Sequence, residues 1–225
     1  MGSLARLKEP PLAVAAAVAG LLCAGALIGC AGGGVPGGIP RPQDTPLAFM
    51  AGRQVVVLPV QRNISFPDST WQQPPSVTSQ FLAALDDSIA SALGDRGLRS
   101  TWTFAQEISA AARRNTGMLP DPHALAAAGL RRLVRAGDDP LSDPLASQIR
   151  SLVSMRDARY AILPATLVFE KAAGGLRGTV LVYLIDARTA RIQWSGAVTG
   201  EVSRSLSPSM AGDIAQRIAD LVAAR

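Results

Sequence analysis

The chain has 225 residues, of which 48% are hydrophobic and only 4% aromatic, and it carries a formal net charge of +5. This length suits one globular domain with a tail and excludes a second full domain, and the core must be built mainly from Ala, Val, Leu and Ile. Basic residues are spread along the chain, and the only adjacent pairs are Arg113–Arg114 and Arg131–Arg132. Nucleic-acid binding needs clustered basic residues with stacking aromatics between them, so we expect no nucleic-acid partner.

The amino-terminal segment has the pattern of an export signal. Arg6 and Lys8 supply a positive start, and residues 12–28 form an unbroken run of apolar and small residues. Because this pattern is typical of a signal peptide, we predict one over residues 1–29. A retained transmembrane anchor is the alternative, although the run is rich in alanine and at the short limit for spanning a bilayer.

The apolar run ends in the sequence LIGC at residues 27–30, which resembles the lipobox of bacterial lipoproteins. The resemblance implies that the thiol of Cys30 accepts a diacylglyceryl group and that the signal peptidase cuts between Gly29 and Cys30. Several acyl chains on one cysteine, palmitate among them, anchor a protein durably. Cys23 does not fit the pattern and should leave with the signal peptide. The alternatives are that Cys30 is an ordinary small residue of a secretory signal, or that it forms a disulfide with Cys23.

The residues after the lipobox are rich in glycine and proline, so we predict a lipidated cysteine followed by a flexible tether over residues 30–52. Residue 31 is alanine, whereas aspartate there resembles an inner-membrane retention signal. We therefore expect anchoring in the outer membrane, facing the periplasm. Residues 53–225 are predicted to form a single periplasmic α/β domain.

Hydrophobic periodicity predicts the elements of this domain. In chain order they are a strand at 54–60, a helix from Ser76 to Leu93, a strand at 98–104, helices at 104–115, 122–137 and 145–157, strands at 158–171, 178–189 and 191–203, and a helix that begins at Ser207–Pro208.

The last three predicted strands are joined by short turns and should form an antiparallel meander. Within the last of them, Ile192, Trp194, Val198 and Val202 are predicted to share one buried face. Pro164 predicts an edge position, a bulge or a break in its strand. The predicted fold class is α/β (α+β), with a mixed sheet of about five strands and helices packed on it.

Three segments, VVVLPV (55–60), ARYAILPATL (158–167) and TVLVYLIDARTARIQWSG (179–196), together carry a resemblance to a known domain. They resemble the envelope domain shared by the curli secretion lipoprotein CsgG, the outer-membrane lipoprotein LpoB that activates a penicillin-binding protein, and the amino-terminal domain of TolB. The family often has glycine in the turn where this chain has Ala190.

This resemblance implies a membrane-anchored envelope protein whose domain binds a protein partner, with an accessory or regulatory role such as activating a cell-wall synthase. The alternative that it implies is a subunit of an oligomeric outer-membrane secretion or transport complex. The connections between the later strands are too short for the long hairpins that line such pores, which weakens this alternative. The oligomeric state stays open.

Residues that could carry catalysis or bind a metal are sparse. The chain has one histidine, His123, and the predicted mature domain has neither a G-x-S-x-G motif nor a cysteine, so we expect no enzyme and no catalytic residue. A hydrolase that uses His123 is the alternative.

Asp138, Asp139 and Asp143 lie close together in sequence, but the other ligands of a calcium loop are missing. We therefore expect these aspartates to cap helices, and we expect the protein to bind neither a metal nor a cofactor.

The candidate partner-binding residues are Phe66 and Trp71, two aromatic residues in the polar loop 61–75. Tryptophan is a frequent anchor in protein interfaces, although Trp71 could equally fold back onto the sheet. The sequence GLRRLVR, residues 129–135, could bind an acidic partner or lipid head groups, or could be a solvated helix face.

Overall fold

The computed structural model describes residues 45–132 and 140–223, all within a compact unit that spans residues 39–225. The strands are β1 (Val55–Val57), β2 (Ile64–Ser65), β3 (Trp102–Thr103), β4 (Tyr160–Ala172), β5 (Gly175–Asp186) and β6 (Arg191–Ser203). The helices are α1 (Pro75–Asp95), α2 (Ala105–Arg114), α3 (Leu145–Ser154) and α4 (Pro208–Asp220).

One mixed six-stranded sheet organises these elements, in the order β3–β1–β4–β5–β6 with β2 also paired to β4. The pairs β1–β3, β1–β4 and β2–β4 are parallel, whereas β4–β5 and β5–β6 are antiparallel. The structure therefore confirms the predicted fold class and the carboxyl-terminal meander, and β2 is the strand that the sequence pattern did not reveal.

Helices cover both faces of the sheet. Val57 and Ile162 are buried on the face covered by α1 and α4, whereas Val56 and Leu163 are buried on the face covered by α2 and α3. Because alternate side chains of a strand point to opposite faces, a continuous apolar run is what a doubly covered strand requires.

Pro164 lies in the middle of the sheet, in a gap between the partners of β4. β1 pairs with β4 up to Ile162, and β2 pairs with it only from Leu167. The register of β4 against β5 shifts between Pro164 and Thr166, so the bulge is the correct one of the three predicted outcomes. Proline has no N–H to donate to a neighbouring strand, and Pro164 lies where neither β1 nor β2 is paired with β4.

The prediction that four apolar residues of β6 share one face is wrong at Ile192. The register of β5 against β6 shifts between Leu184 and Ile185, because Gln193 is an extra residue in the ladder. Ile192 is consequently buried on the face of α2 and α3, whereas Val198 is buried on the face of α1 and α4. A single inserted residue exchanges the faces of a strand, because the side-chain period is two.

The predicted tether extends too far into the domain. Residues 48–50 form a 3₁₀ helix, Leu47 and Met50 are each 1% exposed, and the backbone N–H of Leu47 donates to the carbonyl of Leu221 at 2.8 Å. The packed domain therefore begins before residue 53, because two apolar side chains in a glycine- and proline-rich context can still be buried. Residues 30–44 lie outside the described residues.

The helix predicted at 122–137 is also wrong over the residues that the structure describes. Residues 122–132 contain only a 3₁₀ turn, Ala127–Gly129, and otherwise cross the sheet face without regular structure. Tertiary hydrogen bonds hold them there: Thr166 donates to the carbonyl of Leu130 and the Tyr183 hydroxyl to that of Arg132. These contacts satisfy carbonyl groups that a helix would have paired internally, so tertiary structure overrides alanine-rich helix propensity.

A buried carboxylate closes the turn between β5 and β6. Asp186, 2% exposed, accepts hydrogen bonds from the backbone N–H groups of Arg188 and Thr189, at 3.0 and 3.2 Å, and from the guanidinium of Arg159, at 2.6 and 2.8 Å. Burial would raise the pKa of Asp186, but these hydrogen bonds outweigh it and lower the pKa. Ala190 of the same turn has a φ of 52°, in the left-handed region that favours glycine.

We expect Asp186→Ala to lower the free energy of unfolding by about 2–3 kcal/mol, because the turn N–H groups and Arg159 lose a charged acceptor. The difference from wild type should shrink as the pH falls below about 4, where the unfolded carboxyl is protonated and the depressed native pKa no longer stabilises the fold. Urea unfolding at several pH values measures both effects. Asp95→Ala, at the exposed end of α1, is the control and should change stability by less than about 0.5 kcal/mol. Equal effects of the two substitutions would contradict this role.

Candidate functional site

The predicted lipidation and cleavage residues, Cys30 and Gly29, lie outside the described residues and stay predictions. Over the described residues, 45–132 and 140–223, no helix combines the length and the apolar character needed to cross a membrane.

Phe66 and Trp71 both pack onto the domain. The ring of Phe66 stacks on Phe169 with a centroid separation of 5.1 Å and an interplanar angle of 13°, and Trp71 is half-buried against the same apolar cluster under α1 and α4. Asp68, which lies between them, forms an ion pair with Lys171 at 3.2 Å. The loop is thus fastened to the sheet, and the alternative that Trp71 folds back is the one that the structure supports. A binding role for the exposed parts of these rings stays a prediction.

His123 belongs to a polar cluster that the sequence did not predict. The hydroxyl of Ser109 on α2 lies 3.0 Å from Nε2 of His123, and Oδ2 of Asp86 on α1 lies 3.9 Å from Nδ1. Ser109 and Asp86 are 8% and 6% exposed. Residues separated by 14 and 37 positions from the histidine carry no common motif, so only the packing of α1, α2 and the crossing segment brings them together.

The geometry of this cluster departs from that of a catalytic triad, in which an ionised carboxylate accepts a hydrogen bond from the imidazole. The distance of 3.9 Å between Asp86 and His123 exceeds hydrogen-bonding range. Burial raises the pKa of Asp86 to about 7, with the neighbouring charge of Asp87 adding to the effect, although a hydrogen bond from the N–H of Val60 opposes it. Burial also lowers the pKa of His123. Both groups are therefore held towards their neutral forms and do not make a stable ion pair.

A buried glutamine holds the segment that carries His123. Gln61 is 2% exposed; its side-chain amide donates to the carbonyls of Pro59 and Pro122, and its side-chain oxygen accepts from the N–H of Leu125. A fully satisfied buried amide fixes two backbone segments in one arrangement. This contact anchors residues 122–125 to the end of β1, and the Ser109–His123 contact joins the same segment to α2.

The α2–α3 groove is a concave surface of about 600 Å³ between the carboxyl-terminal ends of α2 and α3. The residues that line it are Ala111, Arg114, Asn115, Met118, Leu119, Ser151, Ser154, Met155 and Arg156. Met118 is 85% exposed, whereas Leu119 and Met155 are half-buried and pack against the core under α2 and α3. The described lining combines apolar, basic and uncharged polar side chains and includes no carboxylate.

The other residues that the sequence singled out form no site in the described part of the chain. No three His, Cys, Asp or Glu side chains there could hold a metal ion together, and Asp143 accepts a hydrogen bond from the hydroxyl of Ser147. Asp138, Asp139 and Arg135 lie outside the described residues. Arg131 and Arg132 are exposed on the crossing segment.

Comparisons with known proteins find similarity only among solved structures. No family model and no curated protein matches the chain. The PelC dodecamer from Paraburkholderia phytofirmans matches at 15% identity and a TM-score of 0.34, over 77% of this chain and 91% of that one. The LpoB carboxyl-terminal domain from Escherichia coli matches at 16% and 0.35, over 67% and 83%. The lipoprotein GNA1162 from Neisseria meningitidis matches at 16% and 0.36, over 69% and 84%.

LpoB, which the sequence resemblance names, is thus among the structures to which this chain is similar, and GNA1162 is also a lipoprotein. Identities and TM-scores this low carry neither a function nor a partner from those proteins to this chain.

Replacing the buried carboxyl by an amide tests the electrostatics of the polar cluster. An acid whose native pKa is raised stabilises the fold below its unfolded pKa, near 4, and this contribution is lost as the pH rises through the native value of about 7. Asp86→Asn should therefore gain stability relative to wild type as the pH rises from about 4 to 7, by up to about 1.4 kcal/mol per pH unit, and hold that gain above 7.

Chemical denaturation between pH 4 and pH 8.5 measures this difference, with Asp95→Asn on the same helix as the control, for which we expect the wild-type profile. A lower stability of Asp86→Asn at pH 8 would show instead that the protein requires an ionised carboxylate at this position.

Proposed function

We propose that this protein is a lipid-anchored lipoprotein of the bacterial outer membrane whose periplasmic domain binds a protein partner. The observation that carries the proposal is the sequence LIGC at residues 27–30, at the end of an apolar run and directly before a segment rich in glycine and proline. A thiol is the nucleophile that such modification needs, and Gly29 leaves room for cleavage beside the modified Cys30.

The attachment of the domain agrees with this arrangement. The composition of residues 31–44 is typical of linkers. The packed domain then begins near Leu47, whose N–H donates to the carbonyl of Leu221 after the last helix. Both ends of the described domain therefore meet in one place.

We further propose that the domain acts by binding and not by catalysis. Ser109 lies within the ten-residue helix α2 and is only 8% exposed, so its hydroxyl has little access to a substrate. Asp86 accepts no hydrogen bond from His123 at 3.9 Å and is held towards its neutral form. The cluster is better suited to joining α1, α2 and the crossing segment. An accessory or regulatory role in envelope assembly, such as activating a cell-wall synthase, is the function that the sequence resemblance favours.

Replacing the lipobox cysteine tests the anchor. In cells, Cys30→Ser should remove the mass of the acyl groups and leave residues 1–29 uncleaved, because serine lacks the thiol that accepts the lipid and the peptidase cuts beside the modified cysteine. Intact-mass spectrometry measures both changes. Cys23→Ser is the matched control and should leave the mature mass unchanged. A Cys30→Ser protein with an unchanged amino-terminal mass would disprove lipidation.

A further inference from the structure

The exposed apolar side chain of the α2–α3 groove, Met118, lies on a turn whose backbone is hydrogen-bonded to the end of α2. The N–H groups of Met118 and Leu119 both donate to the carbonyl of Asn115, at 3.1 and 3.3 Å, and the side-chain amide of Asn115 donates to the carbonyl of Ala111 at 2.8 Å. The turn also includes Gly117, with a φ of 88°. Since the backbone of the turn is hydrogen-bonded to α2, binding at Met118 has to order its side chain but not its backbone.

The floor of the groove connects Met118 to the core. Leu119 and Met155 lie half-buried in it and pack against the apolar cluster under α2 and α3. Single exposed apolar residues are ordinary on protein surfaces. Met118, 85% exposed, differs from such a residue because two further apolar side chains, Leu119 and Met155, line the same groove. Methionine is well suited to this role, because its unbranched side chain adapts to the shape of a partner.

The charge of the groove is one-sided. Arg114 is exposed, and among the described residues no carboxylate lies within ion-pair distance of it. Arg156 pairs with Glu107 at 3.4 Å, but both side chains are substantially exposed, so the pair contributes little stability and can exchange partners. Arg113, next to Arg114, lines the adjoining cavity together with His123. The charge of Arg113 helps to lower the pKa of His123, after the larger effect of burial. A partner that fills the groove would thus meet the positive charge of Arg114, and that of Arg156 once its pair with Glu107 exchanges.

We propose that the α2–α3 groove docks a segment of a protein partner that carries carboxylates on either side of an apolar side chain. The apolar side chain contacts Met118, Leu119 and Met155, while the carboxylates pair with Arg114 and Arg156. This inference rests on the proposed partner-binding function and identifies the surface and the chemistry through which it acts. A concave groove of about 600 Å³ suits an inserted side chain better than the broad surface of a bilayer.

Site-specific crosslinking in intact cells tests the docking surface. The full-length lipoprotein carries a photocrosslinking residue in place of Met118, and the crosslinked peptide is sequenced by mass spectrometry. Phe49, the other large exposed apolar residue of the described chain at 56% exposure, lies outside the groove and provides the control position. We expect a crosslink from position 118, and not from position 49, to a net acidic segment of another envelope protein.

Charge reversal tests the proposed recognition. Arg114→Glu combined with Arg156→Glu should lower the crosslink yield from position 118 about tenfold, because like charges then face each other across the interface. Arg177→Glu, an exposed arginine on β5 outside the groove, is the matched control and should leave the yield unchanged. Reversing the acidic residues of the mapped partner segment should restore the yield with the double variant.

Three results would overturn this inference. A crosslink from position 118 only to lipid, only to a second copy of this chain, or to a neutral or basic segment would show a different occupant. Unchanged yield in the double variant would remove the role of the arginines. A protein crosslink from position 49 alone would reject this groove but keep the proposed partner-binding function, whereas no protein crosslink from either position would count against both.

Discussion

The fold depends on burying both faces of β4. This strand has parallel partners on one side and β5 on the other, and its residues from Ala161 to Leu167 are all buried. Such a strand is stable only if a helical layer covers each face, since an uncovered face would leave its apolar side chains in water. α1 and α4 supply one layer, and α2 and α3 supply the other. The gap at Pro164, between β1 and β2, allows a proline at the centre of the sheet.

The layer that contains α2 and α3 is only partly helical, and polar contacts hold its non-helical segment against the sheet. Over the described residues 115–132, which follow α2, the chain contains only the short 3₁₀ turn Ala127–Gly129, so its backbone groups need partners elsewhere. Gln61, Thr166 and Tyr183 provide several of these partners, and Ser109 and Asp86 surround His123 at the start of the crossing. The only histidine of the chain therefore belongs to a cluster that holds non-helical backbone against the sheet. The same arrangement positions the turn that carries Met118, because that turn connects α2 to the crossing segment.

The same packing holds the residues of the α2–α3 groove in place. The side chains of Leu119 and Met155 pack inward on the second apolar cluster, while Met118 points into solvent from a hydrogen-bonded turn. The arginines at the ends of α2 and α3 add positive charge at the edge of this apolar surface. The loop that carries Phe66 and Trp71, the binding residues predicted from the sequence, is fastened to the opposite face of the sheet through the stacking of Phe66 on Phe169.

The elements that could be predicted from the sequence are those whose hydrophobic periodicity or capping pattern lies within one continuous segment. The long strands β4, β5 and β6, the helices α1, α2, α3 and α4 and the helix start at Ser207 follow from periodicity and capping, because each such element buries its own apolar side chains. The sequence LIGC at residues 27–30, on which the proposed lipid anchor rests, is a local signal of the same kind.

Tertiary structure alone decided the features that depend on distant residues. Leu47 and Met50 are buried in the apolar cluster under α1 and α4, where the N–H of Leu47 donates to the carbonyl of Leu221. Residues 122–132 are not helical because carbonyl groups among them find partners on β4 and β5. Ile192 changes faces through one inserted residue, and Ser109, His123 and Asp86 meet only when three separate segments pack together. The α2–α3 groove is of the same kind, since its apolar side chains and its arginines come from the ends of two helices that are distant in sequence.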